Sequence, residues 1–186
     1  MELIKETGAG VAGANSYADV SDGDTYHEGH LYASAWTGAP VERREAALVM
    51  ATRLIDAFCE FGGLRASAAQ SLQWPRTDCV DRDAAGGLLP AGVLRLGGTA
   101  VGGYFDSVSV PSVVVCATCE QARELLSADL TGAPMGDGLV SSSMGGNKLV
   151  FDRFNRPPVL TRVVRRLLGK VGTVVGSGCS VRLTRA

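Results

Sequence analysis

Long apolar runs are absent from this chain of 186 residues, and aromatic residues make up only 6% of it. No run approaches the ~18–20 apolar residues that a helix needs to cross a membrane. The stretch Met1–Gly13 also lacks the apolar segment of a signal peptide. We therefore expect a soluble protein that is not secreted and that has no membrane partner.

The motifs of common catalytic and metal sites are missing as well. There is no G-x-S-x-G nucleophile motif and no P-loop. The C-x-x-C pair Cys116 and Cys119 supplies only two of the four ligands of a structural zinc site, so buried small residues are the favoured interpretation. His27 and His30 lack an obvious third ligand, which favours surface or partner-facing positions. The sequence predicts no enzyme, no metal and no cofactor.

Two further segments contain residues typical of a ligand site but lack the surrounding elements or the spacing that such a site needs. The run Gly8–Gly13 matches G-x-G-x-x-G, but no buried strand precedes it and no helix follows, so we expect a flexible arm. Asp78, Asp81 and Asp83 lack the spacing of a calcium loop, which favours a solvated loop. Five scattered cysteines without a framework are typical of a reducing compartment.

Apolar periodicity predicts four helices in a chain of one-domain length. They span Asp22–Leu31, Val41–Phe61, Ser112–Asp129 and Val159–Val171. We expect Ser21 and Ser112 to cap the first and third helices, and Gly62 to end the second. The inward side of the last helix is predicted to hold Leu160, Val163, Val164, Leu167 and Leu168.

The remaining segments predict a hairpin and two arms. A change of period around a glycine turn indicates a β-hairpin at about 139–152. The predicted fold class is mainly α: a small helical bundle of about four helices with a β-hairpin and extended N- and C-terminal arms. We expect a single helical domain over 1–171, including the hairpin, and an extended C-terminal docking tail over 172–186.

Charge is distributed very unevenly. Residues 147–186 carry nine basic side chains and one acidic side chain, a net charge of +8, so the other 146 residues carry −9. Such asymmetry predicts that one end meets an acidic partner, either nucleic acid or protein. The tail has no aromatic side chain on which bases could stack, which favours a protein.

Several segments resemble one known family. They are Gly10–Tyr17 (GVAGANSY) before an acidic first helix, Ala51–Asp56 (ATRLID) before Phe61-Gly62-Gly63, Gln70–Arg76 (QSLQWPR), and the terminal Val181–Arg185 (VRLTR). In this order they resemble the head-to-tail adaptor, or connector, proteins of tailed bacteriophages, also described as DnaT-like single-stranded-DNA-binding proteins. The resemblance covers nearly the whole chain.

This resemblance implies a mostly helical subunit of a dodecameric ring beneath the portal, without catalysis. The implied partners are the portal protein, a tail or nozzle protein or second adaptor, further copies of the chain, and genomic DNA passing through the ring without specific binding. The implied location is the head–tail interface of the virion, after synthesis in the host cytoplasm. Single-stranded-DNA binding is the alternative function.

Two sets of residues are the candidate interfaces. The portal or partner interface is predicted at Val181, Arg182, Leu183 and Arg185 of the tail and at Arg162, Arg165, Arg166 and Lys170 of the last helix. The contact between subunits is predicted at the hairpin residues Leu139, Val140, Leu149, Val150 and Phe151. An isolated hairpin is only marginally stable, so pairing with a neighbouring copy would stabilise it.

Overall fold

The computed structural model describes residues 2–81, 103–132, 141–144, 147–150 and 158–175. Its helices are α1 (Val20–Glu28), α2 (Ser34–Thr37), α3 (Val41–Phe58), α4 (Ser112–Ser127) and α5 (Arg162–Leu168). Its strands are β1 (Cys59–Phe61), β2 (Leu64–Arg65), β3 (Arg76–Thr77), β4 (Ser141–Met144), β5 (Asn147–Val150) and β6 (Gly172–Val174). The predicted mainly helical fold with a small antiparallel hairpin is confirmed.

The helices α3 and α4 pack against each other and divide the core into two clusters. The first surrounds the end of α3 and includes Tyr17, Ile55, Trp74, Val114, Ala117, Val164 and Leu168. The second surrounds the beginning of α3 and includes Ala18, Trp36, Ala47, Leu48, Ala51, Cys119 and Ala122. The apolar stripes of the two long helices therefore serve both clusters at once.

The short helix α2 was not predicted, because four residues are too few for a periodic pattern. It places the fully buried Trp36 against α1. Gly23 makes this approach possible, since a Cβ there would lie 2.2 Å from the indole. The Trp36 Nε1 donates to the Asp24 carboxylate at 2.8 Å, so the buried indole is also satisfied.

Several predicted helix boundaries were wrong. Asp19, not Ser21, caps α1: its carboxylate accepts from Asp22 N, and the Asp22 carboxylate accepts from Asp19 N. This reciprocal capping box starts the helix at Val20, two residues earlier than predicted. Pro111, not Ser112, precedes α4, and it makes no side-chain cap.

A strand follows α3 directly, where a glycine turn was predicted to end a longer helix. Cys59–Phe61, predicted as helix, forms β1 and pairs antiparallel with β6, with Glu60 opposite Thr173. Residues 172–174 were predicted to open the docking tail, but they belong to the folded body. Long-range pairing of this kind leaves no local periodic signal of its own in either segment.

The other strands form two small sheets. The strands β2 and β3 lie between α3 and α4 and pair through Leu64 and Thr77. The strands β4 and β5 form the predicted hairpin, with Ser141 opposite Val150 and Met144 opposite Asn147. The predicted hairpin residues Leu149 and Val150 lie in β5, whereas Leu139, Val140 and Phe151 fall outside the described residues.

The N-terminal segment is an ordered loop, so the prediction of a flexible arm at Gly8–Gly13 was wrong. The fully buried Glu6 carboxylate accepts from the backbone N–H of Gly8, Gly10 and Val11 at 2.8–2.9 Å. The glycine run therefore encloses a carboxylate of its own chain. The Lys5 ammonium contacts the Asp19 and Asp22 carboxylates at 3.2 and 2.5 Å, which ties the loop to α1.

Candidate functional site

The basic face of α5 is the part of the predicted interface that the structure describes. Thr161 caps the helix by accepting from Val164 N at 3.4 Å. Val164 and Leu168 are fully buried, which fixes the opposite side of the helix towards solvent. That side carries the exposed residues Arg162, Arg165, Arg166 and Lys170, as the sequence predicted.

A buried amide on α4 positions the start of α5. Gln121 is fully buried, its Nε2 donates to Val159 O at 2.9 Å, and its Oε1 accepts from Thr161 N at 3.3 Å. The side chain therefore supplies the hydrogen-bond partners of the Val159 carbonyl and the Thr161 N–H, just before the helix begins. The sequence analysis missed Gln121, because a polar residue in a helix is normally expected on the solvent-exposed side.

A shallow groove runs between α5 and β6 beside the arginines. It is lined by Arg162, Val163, Arg165, Arg166 and Val174. Val163 was predicted to face the core, but it is 52% exposed. Because α5 is only seven residues long, Val164 and Leu168 suffice to anchor it and Val163 is left at the groove. The face thus combines positive charge with apolar surface.

The predicted tail residues cannot be placed. Val181, Arg182, Leu183 and Arg185 fall outside the described residues. The structure therefore tests neither their predicted role nor their position relative to α5.

Three of the segments that carried the family resemblance, those with Tyr17, Asp56 and Trp74, meet in the first core cluster. The fully buried Tyr17 donates from its Oη to Asp56 Oδ1 at 2.5 Å, and the same Oη accepts from Gln73 N at 3.1 Å and Trp74 N at 3.3 Å. Burial raises the pKa of Asp56 to about 6, although the bonds from Tyr17 and Gln73 act in the opposite direction. These residues hold three separated segments together inside the protein.

Arg76 has a similar structural role at the other side of this motif. It is buried, and its guanidinium donates to Gly62 O at 2.7 Å, Gly63 O at 2.9 Å and Gln73 O at 3.2 Å. A guanidinium with these three carbonyl partners fixes the turn after β1 rather than binding an anion.

The two histidines lie between α1 and α4. The prediction of a surface or partner-facing position is wrong for His27, which is buried, with its Nε2 3.2 Å from Cys119 O. Burial lowers its pKa. His30 is partly exposed, with its Nε2 3.8 Å from the Oε2 of the buried Glu120. In the part of the chain that the structure describes, no three potential ligands are grouped to hold a metal ion.

The cysteines of the C-x-x-C pair are packed within α4. Cys119 is fully buried and Cys116 is partly buried, and burial raises the pKa of both thiols. Raised pKa values oppose thiolate chemistry, so the interpretation as packed small residues agrees with the geometry. Of the acidic loop, Asp78 and Asp81 are described and Asp83 is not.

The described part of the chain contains no helix with the length and apolar character of a membrane span. What the structure defines is a small, mainly helical protein whose polar interior groups are structural and whose α5 presents a basic, partly apolar face.

The comparison with protein families gives a match over the whole chain. The chain belongs to the family described as "Putative DnaT-like ssDNA binding protein", whose model matches residues 1–186. No curated protein and no solved structure matches the chain.

Proposed function

We propose that this protein is a head-to-tail adaptor of a tailed bacteriophage: a structural, non-enzymatic virion subunit that joins the portal to the tail. The proposed partners are the portal protein, a tail or nozzle protein or second adaptor, and further copies of the chain in a ring, with twelve as the number that the family resemblance implies. Genomic DNA would pass through the ring without specific binding. The subunit would be made in the host cytoplasm and end at the head–tail interface.

The chemistry of the α5 face is the observation that carries this proposal. Arg162, Arg165 and Arg166 are exposed next to Val163 and Val174, so positive charge borders apolar surface. A face of that composition suits an acidic protein surface with apolar side chains, because both the charges and the valines gain partners on docking.

Single-stranded-DNA binding, the second candidate, is favoured by the family's description and by the same arginines. Such binding normally adds aromatic platforms on which bases stack. Trp36 and Trp74 are fully buried and are not available for stacking. The aromatic side chains among the described residues that are mostly exposed, Tyr32 and Tyr104, do not line the groove beside α5. We therefore rank this function second.

The fold supplies the elements that a ring subunit needs. The clusters around α3 and α4 form a rigid body, and the hairpin β4–β5 is a two-stranded unit whose outer edges can pair with another chain. In this proposal Leu139, Val140, Leu149, Val150 and Phe151 contact the adjacent copy. The tail residues Val181, Arg182, Leu183 and Arg185 dock on the portal, and the α5 face meets a partner within the assembly.

The experiment mixes the full chain with purified portal rings of the same phage and counts subunits by native mass spectrometry and negative-stain imaging. We expect ring-shaped complexes with the full chain and none after deletion of Ser180–Ala186, which leaves the described body intact. Failure of the full chain to join portals, or full occupancy by the truncated chain, would overturn the docking proposal.

A gel shift with a single-stranded oligonucleotide across a salt series tests the second candidate. Phosphate neutralisation would give micromolar or tighter binding that weakens steeply with salt. Loss of this binding in Arg165→Glu/Arg166→Glu, but not in the matched exposed pair Arg43→Glu/Arg53→Glu, would replace the adaptor proposal with DNA binding. No shift for any of the proteins is the result that the adaptor proposal expects.

A further inference from the structure

The loop between α1 and α2 presents two adjacent apolar side chains to solvent. Leu31 is 85% exposed and Tyr32 is 71% exposed. They are adjacent in the chain and form one small apolar projection, which is a candidate contact surface. We call this feature the Leu31–Tyr32 knob.

The knob is held in place from behind. Tyr32 N donates to the His30 Nδ1 at 3.1 Å, and the other ring nitrogen of His30 faces the buried Glu120 carboxylate. The His30 ring also lies 5.7 Å from the ring of His27, a buried residue of α1. A loop fixed in this way loses little conformational freedom when it docks, which favours binding.

The groove between α5 and β6 is the complementary feature. Its apolar side chains are Val163 and Val174, and Val175, which is 47% exposed, extends it towards Pro158 and Val159. We call this feature the α5–β6 groove. It is a shallow depression that combines apolar side chains with arginines, so apolar side chains of a partner can pack on it.

The two features are formed by different elements of the protein. The knob follows α1 and precedes α2, whose Trp36 packs in the second core cluster at the beginning of α3. The groove is formed by α5 and β6, which pack in the first cluster at the end of α3. Because Leu31 and Tyr32 are 85% and 71% exposed, the knob does not fill the groove of its own chain.

Charge makes the two features complementary. Glu28, three residues before the knob, is exposed, whereas Asp24 on the same helix is already paired with Arg44 at 2.7 Å. The groove is bordered by Arg162, Arg165 and Arg166. The Glu28 carboxylate beside the knob would therefore meet arginines beside the groove, which favours one orientation of docking.

We propose that the Leu31–Tyr32 knob of one copy of this protein inserts into the α5–β6 groove of a second copy. The inference rests on the proposed ring-forming function and specifies its contact: the partner of the α5 face is the adjacent subunit, and portal docking is left to the tail. Because knob and groove are different patches, the interface is heterologous, and successive copies extend into a ring or a filament instead of stopping at a twofold dimer.

The first test measures self-association of the full chain by sedimentation velocity. The double variant Leu31→Ser/Tyr32→Ser removes the knob, Val163→Asp places a polar acid in the groove, and Leu64→Ser changes a side chain that is 68% exposed elsewhere. We expect the first two variants to raise the apparent dissociation constant at least about tenfold and the control to leave it unchanged. Circular dichroism verifies that all three variants fold.

Mixing the two defective proteins gives a sharper test. The knob variant keeps its groove and the groove variant keeps its knob, so one working interface remains. We expect a 1:1 heterodimer that does not grow further, while each variant alone stays monomeric. Glu28→Arg should weaken self-association, and Arg166→Glu in the second copy should restore it.

Two results would overturn the inference. One is a full chain that sediments as a monomer up to about 100 µM, where even weak ring contacts are populated. The other is self-association that both variants leave intact. After either result, the adaptor proposal still stands if the full chain assembles on portals. If the full chain does not assemble on portals but still self-associates through the knob, the adaptor proposal is rejected and this interface is retained.

Discussion

The phenol oxygen of Tyr17 lies 2.5 Å from the carboxylate oxygen Oδ1 of Asp56, where the phenol is fully buried and the carboxylate is partly buried. The two residues stand 39 positions apart, at the ends of two separate sequence motifs. The same phenol oxygen accepts from the backbone of Gln73 and Trp74, at the third motif. One side chain thus joins the N-terminal loop, α3 and the loop before β3.

Replacing Tyr17 by phenylalanine should destabilise the protein markedly. The change keeps the buried ring but removes the donor to Asp56 Oδ1, and it leaves the backbone N–H groups of Gln73 and Trp74 with one acceptor fewer. We expect a loss of about 1–3 kcal/mol in the free energy of unfolding, measured by chemical denaturation. Tyr32→Phe, on an exposed ring, is the matched control and should change stability by less than about 0.5 kcal/mol. Equal effects of the two substitutions would contradict the role of the phenol.

The partly buried Asp56 should make stability depend on pH in an unusual direction. Its folded-state pKa of about 6 lies above the ordinary value of 3.8 because burial penalises the charge. The folded protein therefore holds this proton more tightly than the unfolded chain, so the stabilisation is complete below pH 4 and is lost as pH rises through 6. Over that window the contribution is about 3 kcal/mol.

The measurement compares the wild type with Asp56→Asn, since other groups also titrate. The free energy of unfolding of the wild type, minus that of the variant, should fall between pH 4 and pH 7.5. A difference that is flat, or that rises with pH, would show that the carboxyl is not held in the way the structure indicates.

The N-terminal glycine loop should not tolerate a side chain at Gly8. The residue has φ +106°, and a Cβ there would lie 2.3 Å from the Ser109 Cα and the Val108 oxygen. We expect Gly8→Ala to cost at least about 2 kcal/mol in thermal or denaturant unfolding. Gly29→Ala is the matched control, because nothing lies within 4 Å of its Cβ position and its φ is −93°. If Gly8→Ala unfolds like the control, the loop is not packed as described.

The thiols should be protected in the native protein. Cys59, Cys79 and Cys119 are buried, and burial raises the pKa of each, to about 12 for Cys59. In a Cys179→Ser background at pH 8, we expect at most one thiol, Cys116, to react with an aromatic disulfide reagent at an appreciable rate. All four remaining thiols should react in denaturant. Rapid native labelling of two or more would contradict the packing of α3 and α4.

Local sequence properties predicted the elements that depend on them. The apolar period of Val41–Phe58 and Ser112–Ser127 predicted two long helices, and the glycine turn between two short apolar segments predicted the hairpin. The basic exposed side of α5 also follows from spacing alone, because arginines at positions 162, 165 and 166 fall on one side of a helix whose other side is apolar.

Features that depend on distant partners were missed or misplaced. The period of α3 did not show that the chain becomes a strand at Cys59, since the reason is β6, more than a hundred residues later. The glycine run was predicted to be mobile because its partner, the Glu6 carboxylate, is apparent only once the loop closes. Val163 was predicted to face the core because it belongs to the apolar pattern of the helix. It is exposed because so short a helix is anchored by fewer apolar side chains than that pattern contains.

The sequence by itself determined a mainly helical protein with a strongly basic C-terminal region, because helix period and charge are properties of short windows of residues. Only the tertiary structure decided that Tyr17, Asp56, Trp74 and Arg76 are structural rather than binding groups, since burial depends on what packs over them. It also decided which apolar side chains remain in water, among them Leu31 and Tyr32 of the knob and Val163 of the α5–β6 groove. Exposure of an apolar residue is a property of the whole packed chain, and no local pattern specifies it.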